Sequence, residues 1–259
     1  MKRVITAAAA ATVLLAAAGC GDTGDSGDKA SPGSGGGKTL TVFAAASLTE
    51  TFTELGKSFE GSHPGVKVRF NFGGSSTLAQ QITQGAPVDV FAAASPATMK
   101  PVTDGGAAAQ PQVFAKNRLV IAVPAKEAGK VSRLADLGKS GLKVVLCAEQ
   151  VPCGAAAGKA LAAGGVKVEP ASREQDVKAV LTKVRLGEAD AGLVYRSDAK
   201  AAAADVKGVE FPESAKAIND YPIAALTKAP QSGLAKEFVQ LVLSQQGKDT
   251  LVKAGFESP

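Results

Sequence analysis

From Lys38 onward, short apolar runs alternate with stretches whose apolar residues recur at helical spacing. Residues 40–44 read as a buried strand, 48–59 as a helix, and 66–72 as a strand of period two. A short helix over 77–84 ends at Gly85, and 88–92 reads as the next strand. Strand, helix, strand, helix, strand predicts a parallel α/β layout. A second series follows, with strands over 119–123 and 143–147, helices over 154–163 and 174–186, and a strand over 191–195. A late strand over 222–226 and helices over 233–244 and 247–254 close the chain, and no internal repeat is visible.

The first forty residues follow another pattern. Lys2 and Arg3 precede an Ala-rich apolar run from 4 to 18 that ends at Gly19-Cys20. A charged head, an apolar stretch and small residues at its end predict a secretory signal over 1–19. The run has 15 residues, short of the ~20 a membrane-crossing helix needs. Cys20 after Ala17-Ala18-Gly19 resembles the lipobox of bacterial lipoproteins, although Ala17 stands where leucine is usual and Leu15 lies two places earlier. Residues 20–38 are Gly, Ser and Asp in the main, the composition of a flexible linker. The expectation is a folded body tethered to the outer face of the cell membrane by a lipid on Cys20, anchored and not spanning. The alternative is ordinary cleavage that leaves Cys20 as a free thiol.

Composition narrows the chemistry. The chain has 259 residues, 45% hydrophobic and 20% charged, enough for a buried core and for one large domain or two lobes. Aromatics are 5% and Trp is absent, which leaves little for stacking on bases or sugars. The single histidine, His63, excludes any set needing two imidazoles. Net charge is +5, or +3 once Lys2 and Arg3 leave with the signal, and no Lys/Arg cluster points to nucleic acid.

In parallel α/β sheets, ligands sit beyond the carboxyl ends of strands, where helices begin. Ser47 ends Ala44-Ala45-Ala46-Ser47 just before a helix, and Ser75-Ser76-Thr77 follows Gly73-Gly74 before another. Glu50, three residues beyond Ser47, also fits a capping box with no ligand. Gly73-Gly74 lets a backbone come close to something. Free N–H groups at helix starts plus hydroxyls suit an anion. Two linker strings are accidents of composition. Gly24-Asp25-Ser26-Gly27 looks like a serine-protease fragment, and residues 33–39 look like a phosphate loop, but Pro32 stands where the first glycine belongs. An exported serine hydrolase using Ser47 or Ser75 has neither a G-x-S-x-G elbow nor any base except His63, which precedes a Pro-Gly turn. Asp89 reads as a capping or hinge residue and His63 as a surface turn residue.

The stretches TVFAAASLT (41–49), FGGSSTLAQQI (72–82), GAPVDVF (85–91), VPCG (151–154), EQDV (174–177) and GLVYRSDA (192–199), then Tyr221-Pro222-Ile223 and Ala254-Gly255-Phe256, occur in an order and spacing that resemble the molybdate-binding proteins of ABC importers. The resemblance covers about 39–259. It implies an α/β, two-lobed periplasmic-binding-protein fold of type II, each lobe a mainly parallel sheet flanked by helices. Lobe 1 would be 39–118 plus 223–259, and lobe 2 would be 119–222. It also implies a binding protein and not an enzyme, with no cofactor, a monomer that takes molybdate or tungstate and delivers it to an ABC permease. The ligand set carried over is the hydroxyls of Ser47 and Ser75, the backbone N–H groups of Cys153 and Val177, and the phenol of Tyr195. Cys153 stands where the family often has alanine, Gly73-Gly74 where serine or alanine is common, and Ser76 is an alternative to Ser75. Without the resemblance, Tyr195 would read equally well as a half-buried aromatic with its hydroxyl in water.

A proton-free tetrahedral dianion only accepts hydrogen bonds, so its site needs donors. None of the five positions is acidic or basic, so oriented amide dipoles would balance the charge. Sulfate would be rejected by size and protonated phosphate by its unpaired proton. The same fold holding sulfate or another oxyanion is the alternative. Cys147 and Cys153 flank Glu149-Gln150-Val151-Pro152 in an exported chain, which predicts a disulfide closing the loop that carries the Cys153 amide; two free thiols are the alternative.

Overall fold

The computed structural model describes residues 37–127 and 131–259. The expected signal, Cys20 and all but the end of the linker lie outside the described residues. Lys38 and Thr39, the end of the phosphate-loop string, open a strand; its first four residues lie outside the described residues.

The chain runs β1 (Lys38–Ala45), a 3₁₀ turn (Ala46–Leu48), α1 (Thr49–Ser62), β2 (Val66–Gly73), α2 (Ser75–Thr83), β3 (Val90–Ala92), α3 (Pro96–Asp104) and β4 (Gln112–Asn117). It continues through β5 (Leu119–Pro124), β6 (Val144–Cys147), α4 (Pro152–Ala163), β7 (Ser172–Glu174), α5 (Val177–Arg185), β8 (Ala191–Tyr195), α6 (Arg196–Ala201) and β9 (Val206–Val209). It ends with β10 (Asn219–Ala225), α7 (Ser232–Leu243) and α8 (Gln245–Ala254). One sheet has the order β2-β1-β3-β10-β4 and the other β7-β6-β8-β5-β9. Each contains the expected parallel strand–helix–strand core (β2, β1 and β3; β7, β6 and β8) and adds two antiparallel pairings. Both sheets are therefore mixed, each built around a parallel half.

The antiparallel strands are those that carry the chain between lobes. β4 passes through Arg118 directly into β5, and β10 returns to pair with β4 from Asn219 onward. This strand of the first sheet thus begins four residues before Ile223. Pro222 looks like a strand start in sequence, but the register shifts between Tyr221 and Pro222. An irregularity of that kind tolerates a residue without an N–H.

The first lobe packs around phenylalanines. On α1, Phe52, Leu55 and Phe59 fall on one face and are buried; Phe52 and Phe59 meet Phe238 of α7 edge-on, and Phe52 also meets Phe70 and Phe114. The second lobe is filled by Val, Leu and Ala, including the buried Ala156, Ala157 and Ala160 face of α4. Pro152 in the first turn of α4 loses no hydrogen bond there.

Candidate binding site between the lobes

The residues that open five helical segments line one small cavity. It is lined by Ala45, Ala46, Ser47, Gly73, Gly74, Ser75 and Ala94 from the first lobe and by Val151, Pro152, Cys153, Asp176, Val177 and Tyr195 from the second. Its volume is about 20 Å³, a little above the ~10–15 Å³ that admits one water. That leaves no room for a ligand as large as a sugar or peptide. Ser47, Ser75, Cys153, Val177 and Tyr195 all face it, and each is 4% exposed or less.

Each hydroxyl is held by a neighbour. Ser75 is the first residue of α2, which starts two residues before the helix expected from sequence. Its Oγ accepts the Ala94 N–H at 3.0 Å, so its own proton remains to be given. Ser76 is turned elsewhere and donates to the Gln150 carbonyl across the cleft at 2.7 Å. Ser47 makes no cap. It lies inside the 3₁₀ turn, and its Oγ is 2.9 Å from the Tyr221 hydroxyl. Tyr195 is fully enclosed, not half in water, and its hydroxyl accepts from Asn219 Nδ2 at 3.0 Å. Burial pushes both phenols far up, so Tyr195 and Tyr221 keep their protons at any working pH.

The second lobe offers main chain. Cys153 and Val177 lie in the first turns of α4 and α5, where no carbonyl of the helix reaches their N–H groups. Gly154 lets this wall form, because a Cβ there would meet the Ala148 carbonyl oxygen at 1.9 Å. A disulfide joins Cys147 at the end of β6 to Cys153. Asp176 is the one acidic residue lining the cavity, but its carboxylate caps α5 by accepting the Ala179 N–H at 3.0 Å.

The walls also meet around the rim. Lys178 of α5 reaches Glu50 of α1 at 2.8 Å and Asp198 at 3.0 Å. Burial alone would lower the Lys178 pKa, but the two carboxylates together outweigh it and hold it up. Asp198 is completely buried and accepts the Tyr195 N–H; burial pushes it up to about 6, against the pull of Lys178. A Cβ on Gly74 would come within 2.3 Å of the Gln175 carbonyl oxygen in the opposite lobe. Gly74 is thus where the backbones of the two lobes touch. Asp89 is buried outside the cavity and accepts the backbone N–H groups of Thr41 and Gln231.

His63 caps the far end of α1 from Ser47, about 20 Å along the helix. Its ring nitrogens are taken by the Phe59 carbonyl and Glu237. It cannot serve as a base for Ser47 or Ser75.

A profile of bacterial extracellular solute-binding proteins matches residues 40–257. The chain belongs to that family. It is 43% identical over 255 residues to the molybdate-binding protein ModA of Mycobacterium tuberculosis, covering 98% of this chain and 97% of the relative. A solved substrate-binding domain from Clostridium difficile, assigned to a molybdenum ABC transporter, superposes with a TM-score of 0.64 at 29% identity, over 85% of this chain and 99% of that one. The periplasmic molybdate-binding protein of Azotobacter vinelandii gives a TM-score of 0.74 over 85% and 99% of the two chains. At 22% identity, that last likeness speaks for the fold alone.

Tyr221 and Asn219, which bond the lining residues Ser47 and Tyr195 from behind, were missed by sequence reasoning. A signal for Tyr221 was present, because the chain has only two tyrosines and both are buried here with their hydroxyls beside the cavity network. Asn219 had no local signal. Among the described residues, no cluster of His, Cys, Asp and Glu could hold a metal ion, and no helix is long and apolar enough to cross a membrane.

Proposed function

We propose that this chain is an extracytoplasmic receptor that binds molybdate, and tungstate by the same contacts, and delivers it to an ABC permease. One observation carries the reading: a small cavity is lined, from two lobes, by hydroxyls and first-turn N–H groups that bear no formal charge. The hydroxyls of Ser47, Ser75 and Tyr195 and the N–H groups of Cys153 and Val177 would bond the oxygens. The helix starts behind them would balance the double charge.

An ion bonded to both walls favours the closed arrangement, and that difference in affinity is what a transporter can read. Apart from Asp176, whose carboxylate is engaged in capping α5, the named groups only donate, which disfavours hydrogen phosphate with its extra proton. Sulfate has the right charge and no proton, so its rejection rests on the cavity's size. The likeness to ModA supports molybdate over sulfate. The protein acts as a monomeric carrier without catalysis or cofactor, and a lipid on Cys20 would keep it beside its permease, away from nucleic acid.

Calorimetric titration of the mature protein with molybdate, tungstate, sulfate and phosphate tests this. The expected result is tight, equimolar molybdate and tungstate binding with sulfate and phosphate far weaker. Tight sulfate binding without molybdate heat would replace the ligand and keep the fold.

A further inference from the structure

We propose that Asn219, at the crossing between the lobes, is a positioning residue that fixes the Tyr195 hydroxyl as a donor toward the bound ion and ties it to the wall that carries Ser75. The proposal rests on the oxyanion reading above and names a residue outside its ligand set.

Asn219 is the first residue of β10 and pairs in register with Asn117, the last residue of β4. The two asparagines therefore sit side by side where the chain passes from one lobe to the other. Asn219 is buried at 8% exposure, and its Nδ2 donates twice: to the Ala94 carbonyl at 2.7 Å and to the Tyr195 hydroxyl at 3.0 Å. An amide nitrogen has two protons, and both are used.

The orientation of that amide is not a free choice. A backbone carbonyl only accepts, so turning the side chain over would set Oδ1 against the Ala94 oxygen. Nδ2 must face Ala94, and the same nitrogen then faces Tyr195. The phenol oxygen consequently accepts from Asn219, and its single proton points away from Asn219. Tyr195 lines the cavity beside the Tyr221 hydroxyl, which also bonds it, so a bound ion competes with Tyr221 for that proton, and Asn219 keeps the phenol oxygen from being turned round.

The other arm of the amide acts on the opposite wall. Ala94, whose carbonyl receives Asn219, gives its own N–H to Ser75 Oγ at 3.0 Å. One side chain at the hinge thus joins a donor of the second lobe to the residue that orients a donor of the first. Its contacts span the crossing, so its geometry is set by the same lobe arrangement that forms the cage.

The test is a double-mutant cycle with molybdate as the titrant, comparing wild type, Asn219→Ala, Tyr195→Phe and the double variant by calorimetry, with thermal melts to establish folding. If the wild type binds no molybdate, the oxyanion reading falls before this inference is reached. Given wild-type binding, Asn219→Ala should weaken it about tenfold. In the Tyr195→Phe background the same change should cost distinctly less, about threefold or less, because the hydroxyl is gone and only the Ala94 arm remains to be lost. An equal loss in both backgrounds, or no loss in either, overturns the proposal. Asn219→Asp keeps the size and covers the case in which the alanine variant does not fold. A carboxylate there accepts a hydrogen bond from the Tyr195 hydroxyl, turning it away from the ion, and brings negative charge toward the ion, so binding should fall about a hundredfold or more. Wild-type affinity in that variant also overturns the proposal.

Discussion

The two walls of the cleft solve one problem with different material. The first lobe presents side-chain hydroxyls, Ser47 and Ser75, each fixed by a partner distant in sequence, Tyr221 and Ala94. The second presents chiefly backbone, the first-turn N–H groups of α4 and α5, with Tyr195 as its one side-chain donor. A hydroxyl can be removed by one substitution, whereas a main-chain N–H survives almost any change except proline. The first wall should therefore be sensitive to what its residues are, and the second to where its backbone lies.

The largest effect should come from Gly74, where the walls touch. Gly74→Ala puts a Cβ within 2.3 Å of the Gln175 carbonyl oxygen, and backbone in the opposite lobe gives way little. Molybdate affinity should drop by about a hundredfold or more, with the melting temperature of the ligand-free protein almost unchanged. Calorimetry and melts on the same sample check both halves. Near wild-type affinity would mean that the lobes do not need to come this close.

Next come the hydroxyls. Ser75→Ala and Ser47→Ala should each weaken binding by about 1.5–3 kcal/mol, the scale of a hydrogen bond to a charged group. The Ser75 change also strands the Ala94 N–H, so it should be the worse of the two. On the other wall, Val177→Ala should leave affinity within about twofold while lowering the melting temperature, since the side chain serves the core and the N–H serves the ion. A Val177 loss as large as that of Ser75 would erase the contrast between the walls.

The disulfide tests the backbone wall as such. Replacing Cys147 and Cys153 together by serine releases a short loop and should cost about 2 kcal/mol of stability. Affinity should fall less than in either serine-to-alanine variant, because the N–H remains and only its ordering is lost.

The smallest effect concerns Asp198 behind Tyr195. Its folded pKa of about 6 lies above the unfolded carboxylate value. Protonation therefore favours the folded state. That stabilisation is complete below about pH 4 and is lost as the pH rises through about 6. Relative to Asp198→Asn, the wild type should gain melting temperature as pH is lowered from 8 to 5. A flat difference would mean that Lys178 holds the carboxylate ionised throughout.

Much of this was legible along the chain, and what was not has physical reasons. The parallel strands and their helices announced themselves as apolar runs and helical spacing, because both are local patterns. α3 did not, since Pro96 and Pro101 interrupt a helical reading of Pro96–Asp104. The Ser-x-x-Glu pattern at Ser47 and Glu50 suggested a cap, but Ser47 instead bonds Tyr221, 174 residues away, a pairing no local rule can see. The two-lobed layout and the five donors came with the family resemblance, not from periodicity. The amide of Asn219 and the Lys178 bridge to Glu50 and Asp198 exist only once β10 and α5 lie against their neighbours.

The claim under all of this is that uncharged donors from both walls share one oxyanion. A crystal of the molybdate-loaded protein, with anomalous data at the molybdenum edge, addresses it in one measurement. A single peak is expected in the cavity, with oxygens within hydrogen-bonding reach of Ser47 and Ser75 Oγ, the Cys153 and Val177 N–H groups and the Tyr195 hydroxyl. A peak held by one lobe alone, or a lysine or arginine bonded to the ion, would contradict it.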